Sequence, residues 1–456
     1  MHFIPTPVPG KDDQREEGSV SISMHIPHSH KQRVVVIGGG FAGIELIKKL
    51  SKENFYQIVL LDKHNYHTFQ PLLYQVATAG LEPDSIAAPL RRIFKGYKDF
   101  YFRMAEVKKI TPQENCIDTS IGKLRYDYLV IATGSKTNYY GMNQIKETAY
   151  PMKQIPQALD LRSRILQNYE QALLLDDPKE YQSLLDIVIV GGGPTGVELA
   201  GALSELRKYV LPKDFPEIDF KQMNIYLLEA GPRLLFGMSD NAGEKSLKYL
   251  RDFGVNVMLN TAVKSYDGHV VKLGDGTEIP SQTVIWAAGV SGSIIDGLNP
   301  DSITGNRYHV DDYNRVKGYD NIFAVGDVAG MLNKDRPKGH PMVAQVAIQQ
   351  GKNVATNLIN LSNKRPLKGF KYNDKGSMAT IGRNRAVVDL PSFKFTGIFA
   401  WFVWMFVHLI FLIGFRNKVA TFFNWLFNYF TFDRATRLII RPVKKKKVSI
   451  AVPKHK

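Results

Sequence analysis

Two stretches decide the fold: "VVVIGGGFAGIELIKKL" at 34–50 and "IVIVGGGPTGVELAGAL" at 187–203. They are near copies, 153 residues apart. Each opens on a β-branched apolar run, Val34–Ile37 and Ile187–Val190, the pattern of a strand buried on both faces. Three glycines follow at G-x-G-x-x-G spacing: Gly38, Gly40 and Gly43, then Gly191, Gly193 and Gly196. The first permits a tight turn, the second lets backbone approach a pyrophosphate, and the third lets helix and strand pack closely. An apolar-periodic helix follows each loop, and its free N–H groups suit an anion. One such spacing fits any glycine-rich turn. A strand before and a helix after both copies is the context the motif requires.

A second strand should end in an acid that binds a ribose, about 20 residues on. "QIVLLD" ends at Asp62, 24 residues after Gly38, and "NIYLLE" ends at Glu229, 38 residues after Gly191. The excess is read as a loop, "LPKDFPEIDF" at 211–220. An acid at Glu229 repels a 2′-phosphate, so the second site should prefer NADH to NADPH. Two sites imply two dinucleotides, and the simplest pair is a resident FAD and an incoming NADH.

The 456 residues allow two or three domains. Cys116, in "QENCIDTS", is the only cysteine. Neither an intramolecular disulfide nor a dithiol relay can form, so electrons leaving a flavin need another acceptor. The formal net charge is +16. Between Thr431 and Lys456 nine basic residues face one acid. Residues 1–30 carry "KDDQREE" and no long apolar run. They read as a disordered tail rather than a signal or transit peptide; His25, His28 and His30 there form a weak metal candidate. "YDYLVIATGS", "TVIWAAGV" and "NIFAVGDVAG" each read as a buried strand ending in a glycine turn.

In this combination and order the chain resembles the two-dinucleotide-binding-domain flavoproteins from about residue 31 to 395. "HTFQPLLYQVATAGL", "GPTGVELAGAL", "AQVAIQQG" and "FVHLIFLIGFRNK" narrow the resemblance to type II NADH dehydrogenases, the non-pumping NADH:quinone oxidoreductases. The fold class implied is α/β, two Rossmann-type units plus a C-terminal membrane-anchoring helical region. The resemblance divides the chain into a tail (1–30), a discontinuous FAD-binding domain (31–150 and 302–368), an NADH-binding domain (151–301) and a membrane-association region with a basic tail (369–456). FAD would contact Gly38, Gly40, Phe41, Ala42, Gly43, Asp62, Lys63, Val107, Ala132, Thr133, Gly134, Asp327, Ala344 and Gln345. NADH would contact Gly191, Gly193, Pro194, Thr195, Gly196, Glu198, Glu229, Ala288 and Gly289. No metal is implied.

"VAQVAIQQGKNVA" at 343–355 reads as a helix with Gln345 and Gln349 on one side. Spacing alone permits an ordinary polar stripe. The resemblance puts the two amides at the quinone site, where they can donate to quinone carbonyls. It also puts Glu198 near nicotinamide and flavin, although Glu45 holds the same place in the first copy. Hydride would pass from NADH to flavin, and two electrons onward to the quinone.

Phe395–Phe415 is 21 residues without a formal charge, long enough to span a membrane. Its aromatic density suits an interface better. Asn417, Thr421, Asn424, Asn428 and Thr431 then form one polar stripe on an otherwise apolar helix. Such a helix lies in the interface, and the basic tail meets anionic head groups. The resemblance implies a homodimer, monotopic on the cytoplasmic face of a bacterial inner membrane, with no nucleic-acid partner. The rival reading is a soluble NADH-dependent reductase of a small redox protein, which has no use for Phe395–Phe432. A nucleic-acid-binding flavoprotein and a sulfide:quinone reductase are weaker, the latter for want of paired cysteines.

Overall fold

The structure is a computed structural model and describes residues 24–332, 334, 336–434, 436–440 and 442. Most of the expected N-terminal tail and the lysine-rich terminus lie outside these residues.

The first glycine stretch folds as strand, loop and helix: β1 (Gln32–Ile37), α1 (Phe41–Leu50) and β2 (Tyr56–Asp62). The short helix α2 (Leu73–Ala77) and strands β3 (Phe100–Met104) and β4 (Tyr128–Ile131) follow. The chain then crosses into a second unit. It contains β5 (Tyr150–Pro151), α3 (Ile155–Ala172), β6 (Ile187–Val190), α4 (Pro194–Glu205), β7 (Ile225–Leu228), β8 (Val255–Met258) and β9 (Thr283–Trp286). It returns through β10 (Ile322–Ala324), and α5 (Ala344–Ser362) packs back on α1.

Both sheets are parallel and share the order of four strands, with the fifth, at one edge, last in the chain in one and first in the other. The first runs β10–β4–β1–β2–β3 and the second β5–β9–β6–β7–β8. In each, the order reverses beside the strand that precedes the glycine loop. Ligands of doubly wound sheets sit at that switch point, outside the carboxyl ends of the strands. Every residue of β6 and β9 is buried, as strands covered on both faces require.

The stretch at 211–220 is not simply a loop. Leu206–Val210 continues α4 as a π-helical turn, and Leu211–Asp214 closes as a short helix with Pro212 in its first turn, a place that tolerates proline's missing N–H. The tail expected through residue 30 is already ordered at Met24. That side chain is buried, and Arg103 Nε donates to its carbonyl at 2.6 Å. Cys116 opens a buried strand, free and structural.

The C-terminal region is a three-stranded antiparallel sheet, β11 (Ser377–Thr380), β12 (Ala386–Asp389) and β13 (Lys394–Gly397), followed by α6 (Ile398–Phe411) and α7 (Phe415–Thr431). The uncharged run at 395–415 is therefore cut twice. Gly397 at φ 89° ends the strand and Gly414 at φ 92° starts α7, positions where a side chain would be strained. Among the described residues no helix is long and apolar enough to cross a membrane.

Candidate functional site

The two glycine loops repeat down to single atoms. A Cβ on Gly38 would strike Ala132 O, and one on Gly191 would strike Ala287 O; both residues have φ above +100°. Gly43 and Gly196 press on the carbonyls of Gly38 and Gly191, so helix and loop touch with no room for a side chain. The middle glycines differ. A Cβ on Gly40 or Gly193 would meet nothing within 4 Å, and their φ values of −79° and −73° suit any residue. Nothing in the chain demands glycine there, but a phosphate closing on the helix start does. The cradles fit two dinucleotides.

The acids hold the loops in shape. Asp62 Oδ2 accepts from Gly39 N at 2.7 Å, and Oδ1 accepts from His64 N at 2.7 Å. Glu229 Oε2 accepts from Gly192 N, and Oε1 from Gly231 N, both at 2.6 Å. Pro194 and Thr195 are exposed at the second loop, and Lys63 is exposed beside Asp62. Ala132, Thr133 and Gly134 close the end of β4, where the Thr133 hydroxyl donates to Ser293 O at 2.7 Å. Ala288 and Gly289 close the matching end of β9, and Ala288 O accepts from the Tyr140 hydroxyl at 3.0 Å. Val107 stands at the start of a separate small antiparallel sheet.

Asp327 follows Gly326, whose φ is +75° and whose N–H donates to Gln350 Oε1 at 2.7 Å. Asp327 Oδ2 accepts from Ser135 Oγ at 2.5 Å. Gly351 brings α5 onto α1, since a Cβ there would strike Ala42 O. Ala344 and Gln345 stand in the first turn of α5, and Ala347 and Gln350 are its residues that meet Gly326. Phe41 packs edge-on against His67, with ring centroids 4.9 Å apart. Burial pushes the His67 imidazole down to about 4, so it is neutral.

Gln345 and Gln349 do point one way, and both are already engaged. Gln345 Nε2 donates to Gly376 O at 2.9 Å and its Oε1 accepts from Lys375 N at 3.0 Å. Gln349 Nε2 donates to Asn373 O at 2.9 Å and its Oε1 accepts from Asn373 N at 3.0 Å. They clamp the strap at 373–376, which leads into β11.

Glu198 lies in the second turn of α4 and is 7% exposed. Thr380 N donates to its Oε1 at 3.4 Å. Burial pushes its carboxyl up to about 8, against the steadying pull of the Thr380 N–H and the Trp404 indole. That indole N–H lies close to the carboxyl but makes no hydrogen bond of complete geometry. The carboxyl therefore carries a proton at neutral pH. It faces a cavity of roughly 110 Å³ between α2, α4, α6 and α7, lined also by Tyr74, Glu205 and Arg434. Glu205 and Arg434 pair at 3.0 Å on its wall.

α7 turns its polar stripe inward. Asn417 Nδ2 donates to Ala87 O at 2.8 Å, Asn428 Nδ2 to Gly80 O at 3.2 Å, and Trp425 Nε1 to Gln75 Oε1 at 2.8 Å. Arg383 donates to the carbonyls of Asn428 and Tyr429, both at 2.7 Å, and so satisfies the helix end. Outward, Phe399, Phe402, Phe406, Phe415, Phe423 and Phe430 are more than half exposed.

Sequence reasoning missed Gln350, Lys153, Tyr74 and Arg434. Gln350 had a signal, as the second glutamine of "QQG". The other three gain meaning from contacts distant in sequence.

Two such cradles without a cysteine pair define a two-nucleotide oxidoreductase that works without a dithiol. Residues 32–351 match the pyridine nucleotide-disulphide oxidoreductase family, and residues 375–434 match the NDH2 C-terminal domain. A type II NADH:quinone oxidoreductase of Mycobacterium tuberculosis is 36% identical over 423 residues, covering 89% of this chain and 89% of its own. One from Haemophilus influenzae is 31% identical, covering 79% of this chain and 87% of its own. In structure, NDH2 of Plasmodium falciparum in complex with NADH superposes with a TM-score of 0.82, 22% identity and coverage of 90% of this chain and 100% of that one. The chain belongs to the type II NADH:quinone oxidoreductase family.

Proposed function

We propose that this chain oxidises NADH and reduces a membrane quinone, without pumping protons. One observation carries the reading. Helix α4 begins at the second glycine cradle and brings Glu198 into an aromatic-lined cavity under α6 and α7. A single helix thus links a nucleotide site to the apolar outer face. FAD, held by the first unit, supplies the two-electron relay between the two substrates.

In this reading the FAD-binding domain comprises 31–150 and 302–368, the NADH-binding domain 151–301, and the membrane-association region 369–456. Gly38, Gly40, Gly43, Asp62 and Asp327 hold FAD, and Gly191, Gly193, Gly196 and Glu229 hold NADH. The Gly289 turn beside Gly191 carries the nicotinamide half, since it ends the strand across the switch point. Glu198, protonated at neutral pH, is the group able to give a proton to the reduced quinone. Gln345 Nε2 donates to Gly376 O at 2.9 Å and reaches Asp374 Oδ1 at 3.5 Å, and Gln349 Nε2 donates to Asn373 O at 2.9 Å, so a quinone carbonyl would compete with the strap for these amides. The clamp they make positions Thr380 behind Glu198.

The outward phenylalanines rest in lipid, at about 2 kcal/mol each for apolar burial. The basic terminus adds attraction to anionic head groups. Two copies share this surface in a homodimer on the cytoplasmic face of a bacterial inner membrane. The soluble-reductase alternative leaves that aromatic face without a use.

The test is anaerobic. NADH should bleach the flavin absorbance of the purified chain, and ubiquinone or menaquinone analogues should restore it. Restoration by a ferredoxin-type protein but by no quinone would overturn the reading.

A further inference from the structure

Lys153 stands between β5 and Gln154, the N-cap of α3. Its backbone is fixed, because Gln157 Oε1 accepts from Lys153 N at 2.9 Å and from Gln154 N at 3.0 Å. From there the side chain leaves the second unit and enters the first. Lys153 Nζ donates to Gln70 Oε1 at 3.2 Å and lies 3.8 Å from Asp327 Oδ2. The longer distance is an ion pair rather than a hydrogen bond. Lys153 and Asp327 side chains are 20% and 16% exposed. The same Asp327 oxygen already takes the Ser135 hydroxyl.

An ammonium has three N–H donors, and Gln70 takes one. A desolvated cation with one distant carboxylate is incompletely satisfied, and a further anion would complete it. Burial draws the Lys153 pKa below the ordinary lysine value while Asp327 opposes the fall. The cation thus sits beside the carboxylate at the Gly326–Asp327 turn, with donors to spare.

We infer that Lys153 presents a fixed positive charge to the bound flavin and stabilises its reduced state. This rests on reading the Gly326–Asp327 turn as part of the FAD site. Taking up two electrons and one proton leaves the cofactor one unit more negative, and a nearby cation favours that form. Because Lys153 is anchored outside the FAD unit, it also ties the two units together.

Spectroelectrochemical titration of the FAD-loaded protein tests this. In Lys153→Met, reduced FAD should bind about tenfold less tightly relative to oxidised FAD, placing the two-electron midpoint about 30 mV more negative. Lys153→Arg should keep the midpoint of the unaltered chain. A Lys153→Met midpoint that does not move, with full flavin content, would overturn the inference and leave the FAD assignment standing. A loss of thermal stability alone would assign Lys153 a purely structural tie. An unaltered chain that takes up no FAD would overturn both. Lys153→Gln removes the charge but keeps a polar side chain, one atom shorter, and carries the same expectation where the methionine variant does not fold.

Discussion

Glu45 and Glu198 hold the same place in the two copies, two residues after the third glycine, and end in opposite electrostatic states. Burial pushes the Glu45 carboxyl up, but Lys48 at 3.1 Å and Lys352 at 3.2 Å outweigh it and hold it below the ordinary value. No cation among the described residues pairs with Glu198. Burial leaves it protonated to about pH 8, against the pull of the Thr380 N–H and the Trp404 indole that the C-terminal region lays over it. The duplicated motif supplies the position. The role comes from what later parts of the chain lay over it: a lysine of α5 in one copy, an aromatic helix in the other.

The comparison can be broken first at the glycines. Gly43→Ala and Gly196→Ala should each cost roughly 3 kcal/mol or more, because backbone on both sides must move. Gly40→Ala and Gly193→Ala should stay within about 1 kcal/mol of the unaltered chain in melting experiments. They should weaken FAD and NADH binding respectively, by tenfold or more. Equal stability losses at all four positions would remove the argument for a ligand at the middle glycine.

Next comes pH. Quinone reduction should fall above about pH 8 as Glu198 loses its proton, and Glu198→Gln should be slow throughout without that fall. Glu198 also binds its proton more tightly in the folded chain than in the unfolded one. Its contribution to stability is whole below about 4.5 and fades as pH rises toward 8. Glu45→Gln should leave the activity profile and the alkaline stability profile unchanged, removing only a small stabilisation that fades on acidification, less than about 0.5 kcal/mol. An unaltered alkaline limb in Glu198→Gln would dissolve the contrast between the two copies.

Glu229→Gln should lower the preference for NADH over NADPH by about tenfold, since it removes the charge that repels a 2′-phosphate; competition binding with both nucleotides measures it. The smallest effect expected is in Gln345→Leu. It should raise the quinone KM severalfold while flavin bleaching by NADH stays fast. Stopped-flow traces with slowed bleaching and normal quinone kinetics would contradict that role.

Much of the fold was written in local pattern. Val34–Ile37 and Ile187–Val190, each followed by its glycines, mark two strand–loop–helix units without help from the rest of the chain. The long α5 was equally plain. What escaped was whatever depends on packing across the sequence. Lys153 in "YPMKQIP" shows nothing until Gln70 and Asp327 stand beside it. The protonation of Glu198 comes from burial in a cavity shared with Trp404, 206 residues later. The uncharged run at 395–415 hid two breaks, although Gly397 and Gly414 were there to be read. The stripe on α7 was seen correctly as a pattern, but periodicity does not say which side meets water.

The membrane attachment proposed above would depend on how α7 is held. Asn417, Trp425 and Asn428 spend their hydrogen bonds on carbonyl and amide oxygens of the globular body. Peeling α7 away would strand both sets of partners. As an anchor, α7 would arrive finished, a keel moulded onto the hull rather than a line thrown out to catch the lipid. Attachment and release should each proceed as one rigid-body event.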